Sequence, residues 1–156
     1  MDLDRAGHVG RATRENLGFL LAKASQRWNE LLGAEFRGVG YADVRPAHGS
    51  ILLALFEEDG LRMGELARRA RLSKQTLSSM IRAARRRGLV TLRADATDQR
   101  ATRVFLAPRA KRFREASETV LARVERGVER RLSARQIQDL RRALKHIADM
   151  ELEVER

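Results

Sequence analysis

Cysteine is absent from the 156-residue chain. This excludes a disulfide framework, a thiolate zinc site, an iron–sulfur cluster, a cysteine nucleophile and thiol-based oxidant sensing. Long apolar runs are also missing: none approaches the roughly 18 residues a membrane span needs, and no apolar signal region follows Met1. The expectation is a soluble, cytoplasmic protein with no membrane partner. The three histidines, His8, His48 and His146, lie far apart in sequence without an HExxH pattern. No glycine-rich phosphate loop follows an expected strand, and the pair Glu57-Glu58 sits at a helix end beside solvent. No enzyme chemistry, metal or cofactor is therefore expected. The length corresponds to one domain, since domains cluster near roughly 100–150 residues.

Acidic residues are scarce in one place. Residues 60–114 hold 16 Lys and Arg against three acids, Glu65, Asp95 and Asp98, whereas the rest of the chain holds 16 basic and 18 acidic residues. The whole carries a formal charge of +11, concentrated in that contiguous third. A general preference for arginine explains why 28 of the 32 basic residues are Arg, but not the local loss of acids. An excess confined in this way points to a surface for a polyanion such as nucleic acid.

Hydrophobic periodicity and caps divide the chain into helices around a short period-two segment. From a cap at Thr13, residues 13–36 place Leu17, Leu20, Leu21, Ala24, Trp28 and Leu31 at three- and four-residue steps, and Gly38-Val39-Gly40 ends this long amphipathic helix. A second helix is expected from Pro46 to about Glu58, closed by Gly60. A short third follows from about Met63 to Ala70, then the tight sequence Arg71-Leu72-Ser73. Ser73 caps a fourth helix over about Lys74–Arg87, whose inward stripe is Leu77, Ile81 and Ala84, and Gly88 stops it. Val90 and Leu92, then Val104 and Leu106, alternate with neighbours that face the other way, which predicts a two-stranded hairpin with an exposed tip at 94–100. A helix from Pro108 to about Arg130 carries Phe113, Val120, Val124 and Val128. Ser133 with Gln136 opens the last helix in a capping-box pattern, with Ile137, Leu140, Leu144, Ile147 and Val154 as its apolar positions.

Helix, tight turn, helix and hairpin is the order of a winged helix-turn-helix. The chemistry of the fourth helix suits a major groove about 12 Å wide, which admits a helix carrying donors and acceptors on its outer face. Gln75, Ser79, Arg82 and Arg86 fall at steps of four, three and four opposite Leu77 and Ile81, flanked by Lys74, Thr76, Ser78 and Arg85, with Ser73 at the cap. Gln reads adenine and Arg reads guanine bidentately; Ser and Thr serve bases or phosphates. A merely solvated polar face would be expected to carry acids, and this helix has none. On the hairpin, Arg100 is placed to enter a minor groove. Asp98, two residues earlier, is assigned to the DNA-binding wing with it, where it either holds the loop or orients that guanidinium; the competing reading is an ordinary turn aspartate.

These segments together resemble the MarR family of transcriptional regulators. The resemblance is carried by Gly60-Leu61-Arg62-Met63-Gly64-Glu65-Leu66-Ala67, Leu72-Ser73-Lys74-Gln75-Thr76-Leu77-Ser78, Gly88-Leu89-Val90, Asp98-Gln99-Arg100 and Val104-Phe105-Leu106, and by the long flanking helices. Ala107 and Ala110 depart from it, standing where the family usually has Thr and Gly. The first departure removes a helix cap worth about 1 kcal/mol, and neither touches the DNA face.

The resemblance implies a mainly α fold with a small two-stranded β-wing, as one domain: residues 13–45 and 108–156 as dimerisation helices and 46–107 as the winged lobe. It implies a homodimer that binds a palindromic double-stranded DNA operator, most simply as a repressor, relieved by a small aromatic or phenolic ligand. Trp28, Tyr41, Arg45, His48 and Phe56 come from the segments where such a ligand would bind, offering stacking and a cationic anchor; the competing reading makes Trp28 and Phe56 plain core. The alternative function is a sequence-tolerant architectural DNA-binding protein without ligand control.

Overall fold

The computed structural model describes residues 12–150. It divides into two compact units, Met1–Val120 and Leu121–Arg156. The first opens with α1 (Leu17–Gly38), which begins three residues after the expected helix because Asn16, not Thr13, caps it. The Asn16 carboxamide oxygen accepts from the Gly18 and Phe19 amides, and the chain from Thr13 to Asn16 forms a turn instead. Pro46–His48 is a single 3₁₀ turn and α2 follows as Gly49–Glu57, so the expected second helix is split at its N-terminus. Pro46 at the first position of the turn contributes a fixed φ where no amide donor is needed.

Three strands form the sheet, one more than the hairpin predicted. β1 (Leu61–Arg62) is only two residues long and pairs antiparallel with β3 (Thr102–Leu106), which also pairs with β2 (Val90–Ala94). Leu61 faces Val104 and Leu92 faces Val104 on the other side. Between β1 and β2 lie α3 (Met63–Ala70) and α4 (Lys74–Arg86). The turn joining them holds Arg71 in the left-handed region at φ 53°, and the Leu72 amide donates to the Ala67 carbonyl at 2.9 Å. Gly88, at φ 66°, stops α4 as its sequence position predicts.

The core of this unit sits where α2, α3, α4 and the sheet meet. Ile51, Leu52 and Leu55 of α2, Leu66 of α3, Leu77 and Ile81 of α4, Leu89 just before β2, and Val90 and Val104 of the sheet are all essentially inaccessible. Burying side chains of this size contributes about 1.5–3 kcal/mol each. α5 (Pro108–Glu129) begins in this unit and packs Phe113 edge-on against Phe36 of α1, with ring centroids 5.0 Å apart, and against Tyr41 at 4.9 Å.

The second unit contains the rest of α5 and α6 (Ala134–Ala148). The Ser133 hydroxyl accepts from the Gln136 amide while the Gln136 side chain accepts from the Ser133 amide, the capping box expected from sequence. Arg141 pairs with Glu125 at 3.6 Å. None of the α6 residues is buried: Leu140 is 44% and Leu144 42% exposed. Val154 and His8 lie outside the described residues.

Candidate nucleic-acid interface

α4 presents two chemically distinct faces because its apolar residues recur at Leu77, Ile81 and Ala84, each at most 2% exposed. Lys74, Gln75, Thr76, Ser79, Arg82, Arg85 and Arg86 are exposed on the remainder, with Ser78 half-buried. Two of the hydroxyls are committed locally. The Ser73 oxygen accepts from the Thr76 amide at 3.1 Å and its hydroxyl donates to the Thr76 hydroxyl at 2.8 Å, which closes the helix start. Arg82, Arg85 and Arg86 line a shallow open cleft of about 380 Å³.

Ion pairing sorts the cations of this unit into two groups. On α3, Glu65 accepts from both Arg68 and Arg69, and Arg69 also reaches Glu58. These guanidiniums hold the Glu65 carboxyl well below the usual carboxylate range, at about 2. Arg109 grips Asp43 through two hydrogen bonds of 2.5 and 2.7 Å and donates to the Arg87 carbonyl at 2.6 Å, while Arg87 donates to the Asp43 carbonyl. That bidentate contact lowers the Asp43 pKa, and the Arg109 bond to the Arg87 carbonyl joins the end of α4 to the start of α5. By contrast, Lys74, Arg82, Arg85, Arg86 and Arg100 make no ion pair with the described residues. These five cations lie on the outer α4 face and at the wing tip, where a polyanion would neutralise them.

The wing holds Arg100 at an exposed tip. Asp98 does not grip its guanidinium: the carboxylate accepts from the Arg100 backbone amide at 3.0 Å, so it is the turn aspartate. The segment 94–100 is not uniformly exposed. Asp95 is 2% exposed and lies at the wing base, where five donors converge on it. Sequence reasoning counted Asp95 only as one of three acids in a basic stretch. The signal appears only with the strand register, which sets Arg62 opposite Arg103 and Arg103 opposite Arg93, a row of like charges that needs a counter-charge.

Of the five residues considered for a ligand, Arg45 and His48 are in direct contact, and Tyr41 and His48 lie beside the linked Arg109, Asp43 and Arg87. Tyr41 is half-buried against Phe113, with the Arg109 guanidinium 5.6 Å from its ring centroid. His48 is buried, and its Nδ1 accepts from the Arg45 amide at 3.2 Å. Burial, with Arg87 and Arg45 nearby, pushes its pKa down and favours neutral imidazole. Phe56 lies half-buried beneath Arg114, and Trp28 is half-buried on α1, while Arg45 is exposed.

Residues 42–101, the segment that contains the turn, α4 and the wing tip, match the MarR family. Members of this family are transcriptional regulators, not enzymes. The chain is 28% identical over 130 residues to the exopolysaccharide II synthesis transcriptional activator ExpG of Rhizobium meliloti (strain 1021), matching 83% of its own length. It spans 64% of that relative's length. Its fold is similar to that of a probable transcriptional regulator from Pseudomonas aeruginosa, with TM-score 0.74 and 26% identity over 85% of this chain and 97% of the other. It is also similar in fold to S. aureus MepR, solved as a DNA complex, with TM-score 0.73 and 18% identity over 85% and 96% of the two chains. Among the described residues no helix is long and apolar enough to cross a membrane, and no group of three His, Asp or Glu could hold a metal ion.

Proposed function

We propose that this chain is a MarR-family homodimeric regulator of transcription that binds a palindromic double-stranded DNA operator, represses from it, and is released by a small aromatic or phenolic ligand. The observation that carries the reading is the outer α4 face, which is exposed, has no acid and holds Lys74, Arg82, Arg85 and Arg86 without an ion pair among the described residues. Arg100 at the wing tip likewise has none among them, while acids engage the cations of α3 and the wing base. In this reading Gln75, Ser79, Arg82 and Arg86 face base edges, and Ser73, Lys74, Thr76 and Ser78 serve phosphates or bases. Arg100 enters the minor groove, with Asp98 shaping its turn. Two copies are needed because α1 and α6 each expose apolar side chains, Leu17, Leu20 and Leu31 on one and Leu140 and Leu144 on the other. A palindromic site follows from a two-fold protein.

The test is selection of duplexes from a random pool, followed by footprinting of the winners. A palindromic footprint bound about a thousandfold or more tighter than random DNA supports the reading; uniform affinity favours the architectural alternative. Adding 4-hydroxybenzoate and related phenolic acids to the same complex tests release, with Tyr41, Arg45 and His48 as the anchors to substitute, and Trp28 and Phe56 as the apolar walls. A second reading of the sign is favoured by the name of the Rhizobium relative, which is an activator. A reporter fused to the selected promoter decides between repression and activation.

A further inference from the structure

The base of the wing carries a charge arrangement that strand pairing alone would not tolerate. Arg62 of β1, Arg103 of β3 and Arg93 of β2 occupy one row across the sheet. Residues directly opposite in antiparallel strands share a face, and like charges there repel. Arg93 is accommodated by stacking on the Phe105 ring, 4.8 Å from its centroid. The other two converge on Asp95: Arg62 Nε donates to its Oδ2 at 2.8 Å and Arg103 Nε donates to the same oxygen at 2.5 Å.

The second carboxylate oxygen faces the tip. Oδ1 accepts from the Thr97 amide at 2.9 Å, the Thr97 hydroxyl at 2.7 Å and the Asp98 amide at 3.1 Å. Arg62 Nη2 closes the arrangement by donating to the Thr97 hydroxyl at 3.2 Å, and Arg103 Nη1 donates to the Gly60 carbonyl at 2.8 Å. Asp98, fixed in this way, accepts from the Arg100 amide. One buried carboxylate therefore ties the β1 strand to the turn that aims Arg100.

We propose that Asp95 is the positioning residue of the wing: it bridges the Arg62 and Arg103 guanidiniums and holds the 95–98 turn so that Arg100 meets the DNA minor groove in one fixed direction. This rests on the DNA-binding reading above. Asp95 itself touches no DNA; it acts through Arg100. An amide at this position keeps the size of the side chain but removes the charge that the two guanidiniums require, and it turns one acceptor into a donor aimed at other donors.

The chain has no cysteine, so Gln99→Cys with a nitroxide label reports on the tip alone. The experiment compares Asp95→Asn, Arg100→Ala and the double variant in the full chain. It reads label mobility without DNA, and affinity for a duplex selected by the parent protein, with minor-groove substitutions of A·T by I·C or G·C. The expected result is a more mobile label in Asp95→Asn and a loss of about tenfold in affinity like that of Arg100→Ala. The double variant should be no weaker than Arg100→Ala alone, and the ranking of major-groove substitutions should persist. Losses that multiply in the double variant, an unchanged label, or a scrambled major-groove ranking would overturn the proposal. Should Asp95→Asn fail to fold by circular dichroism, Arg62→Gln severs only the exposed β1 arm and must shift both readouts in the same direction; no shift overturns the proposal. A parent protein that selects no sequence refutes the DNA-binding reading, whereas the label measurement still decides whether Asp95 orders the tip.

Discussion

Two glycines share the same backbone constraint but have different neighbours, which separates strain from packing. Gly60 lies at φ 76° and Gly88 at φ 66°, both in the region an L side chain rarely adopts. A Cβ at Gly88 meets nothing within 4 Å, whereas one at Gly60 would lie 2.6 Å from Phe105 Cε1 and 3.0 Å from Cζ. Gly88→Ala therefore costs the left-handed backbone alone, about 1 kcal/mol. Gly60→Ala adds a ring displacement of roughly 1 Å, since apolar carbons approach to about 3.5–4.0 Å. Overpacking of this kind costs about 1–3 kcal/mol more, and it moves Phe105 from beneath Arg93. Urea unfolding at one fixed protomer concentration, followed by Trp28 fluorescence and circular dichroism, measures both variants; equal m-values license comparison of the midpoints. If the two substitutions cost the same, the Phe105 contact does not hold the start of β1, and the wing base is looser than described.

Acid titration tests the carboxylates. Hydrogen bonds from Arg62, Thr97 and Arg103 depress the Asp95 pKa below its ordinary 3.8, so its stabilising contribution is complete well above pH 3.8 and is lost as pH falls below that value. Stability of the parent protein should fall more steeply than that of Asp95→Asn between about pH 5 and 2; parallel curves would show that Asp95 is not ionised in the fold. For assembly, Leu140→Asp or Leu144→Asp should yield unfolded or aggregated chain in size-exclusion chromatography with light scattering. A stable, folded monomer that still binds its selected duplex tightly would count against the dimer. Ser73→Ala should lower stability by about 1 kcal/mol through the lost cap, and an unchanged unfolding midpoint would release Ser73 for a role on DNA alone.

The elements that could be read from sequence are those specified by neighbours in the chain. α3 spans Met63–Ala70 as expected, Ser73 caps α4, and the Ser133–Gln136 box opens α6, because caps and periodicity act within a few residues. Thr13 and Asn16 are both capping types, and only the turn between them determines which one starts α1. β1 was invisible because two residues have no period; it exists through pairing with Arg103 and Val104, some forty positions away. The outer face of α4 was legible in the same way as its core stripe, since one implies the other. Asp95 was not, because its burial depends on Arg62, 33 residues distant, folding back across the sheet. Local polarity made the whole loop look exposed. The Asp43–Arg109 contact spans 66 residues and had no local sign either.

The most direct test of the α4 assignment is a salt titration of parent protein and Arg82→Ala against the selected duplex and its single-base variants. Arg82 is exposed and unpaired among the described residues on the face opposite Leu77 and Ile81. Its loss should relax discrimination at particular base pairs by about 1–3 kcal/mol. With one such cation lost from each of two protomers, the slope of log K against log salt concentration should flatten by roughly two units. If affinity, base ranking and salt slope are all unchanged, α4 is not the helix in the groove.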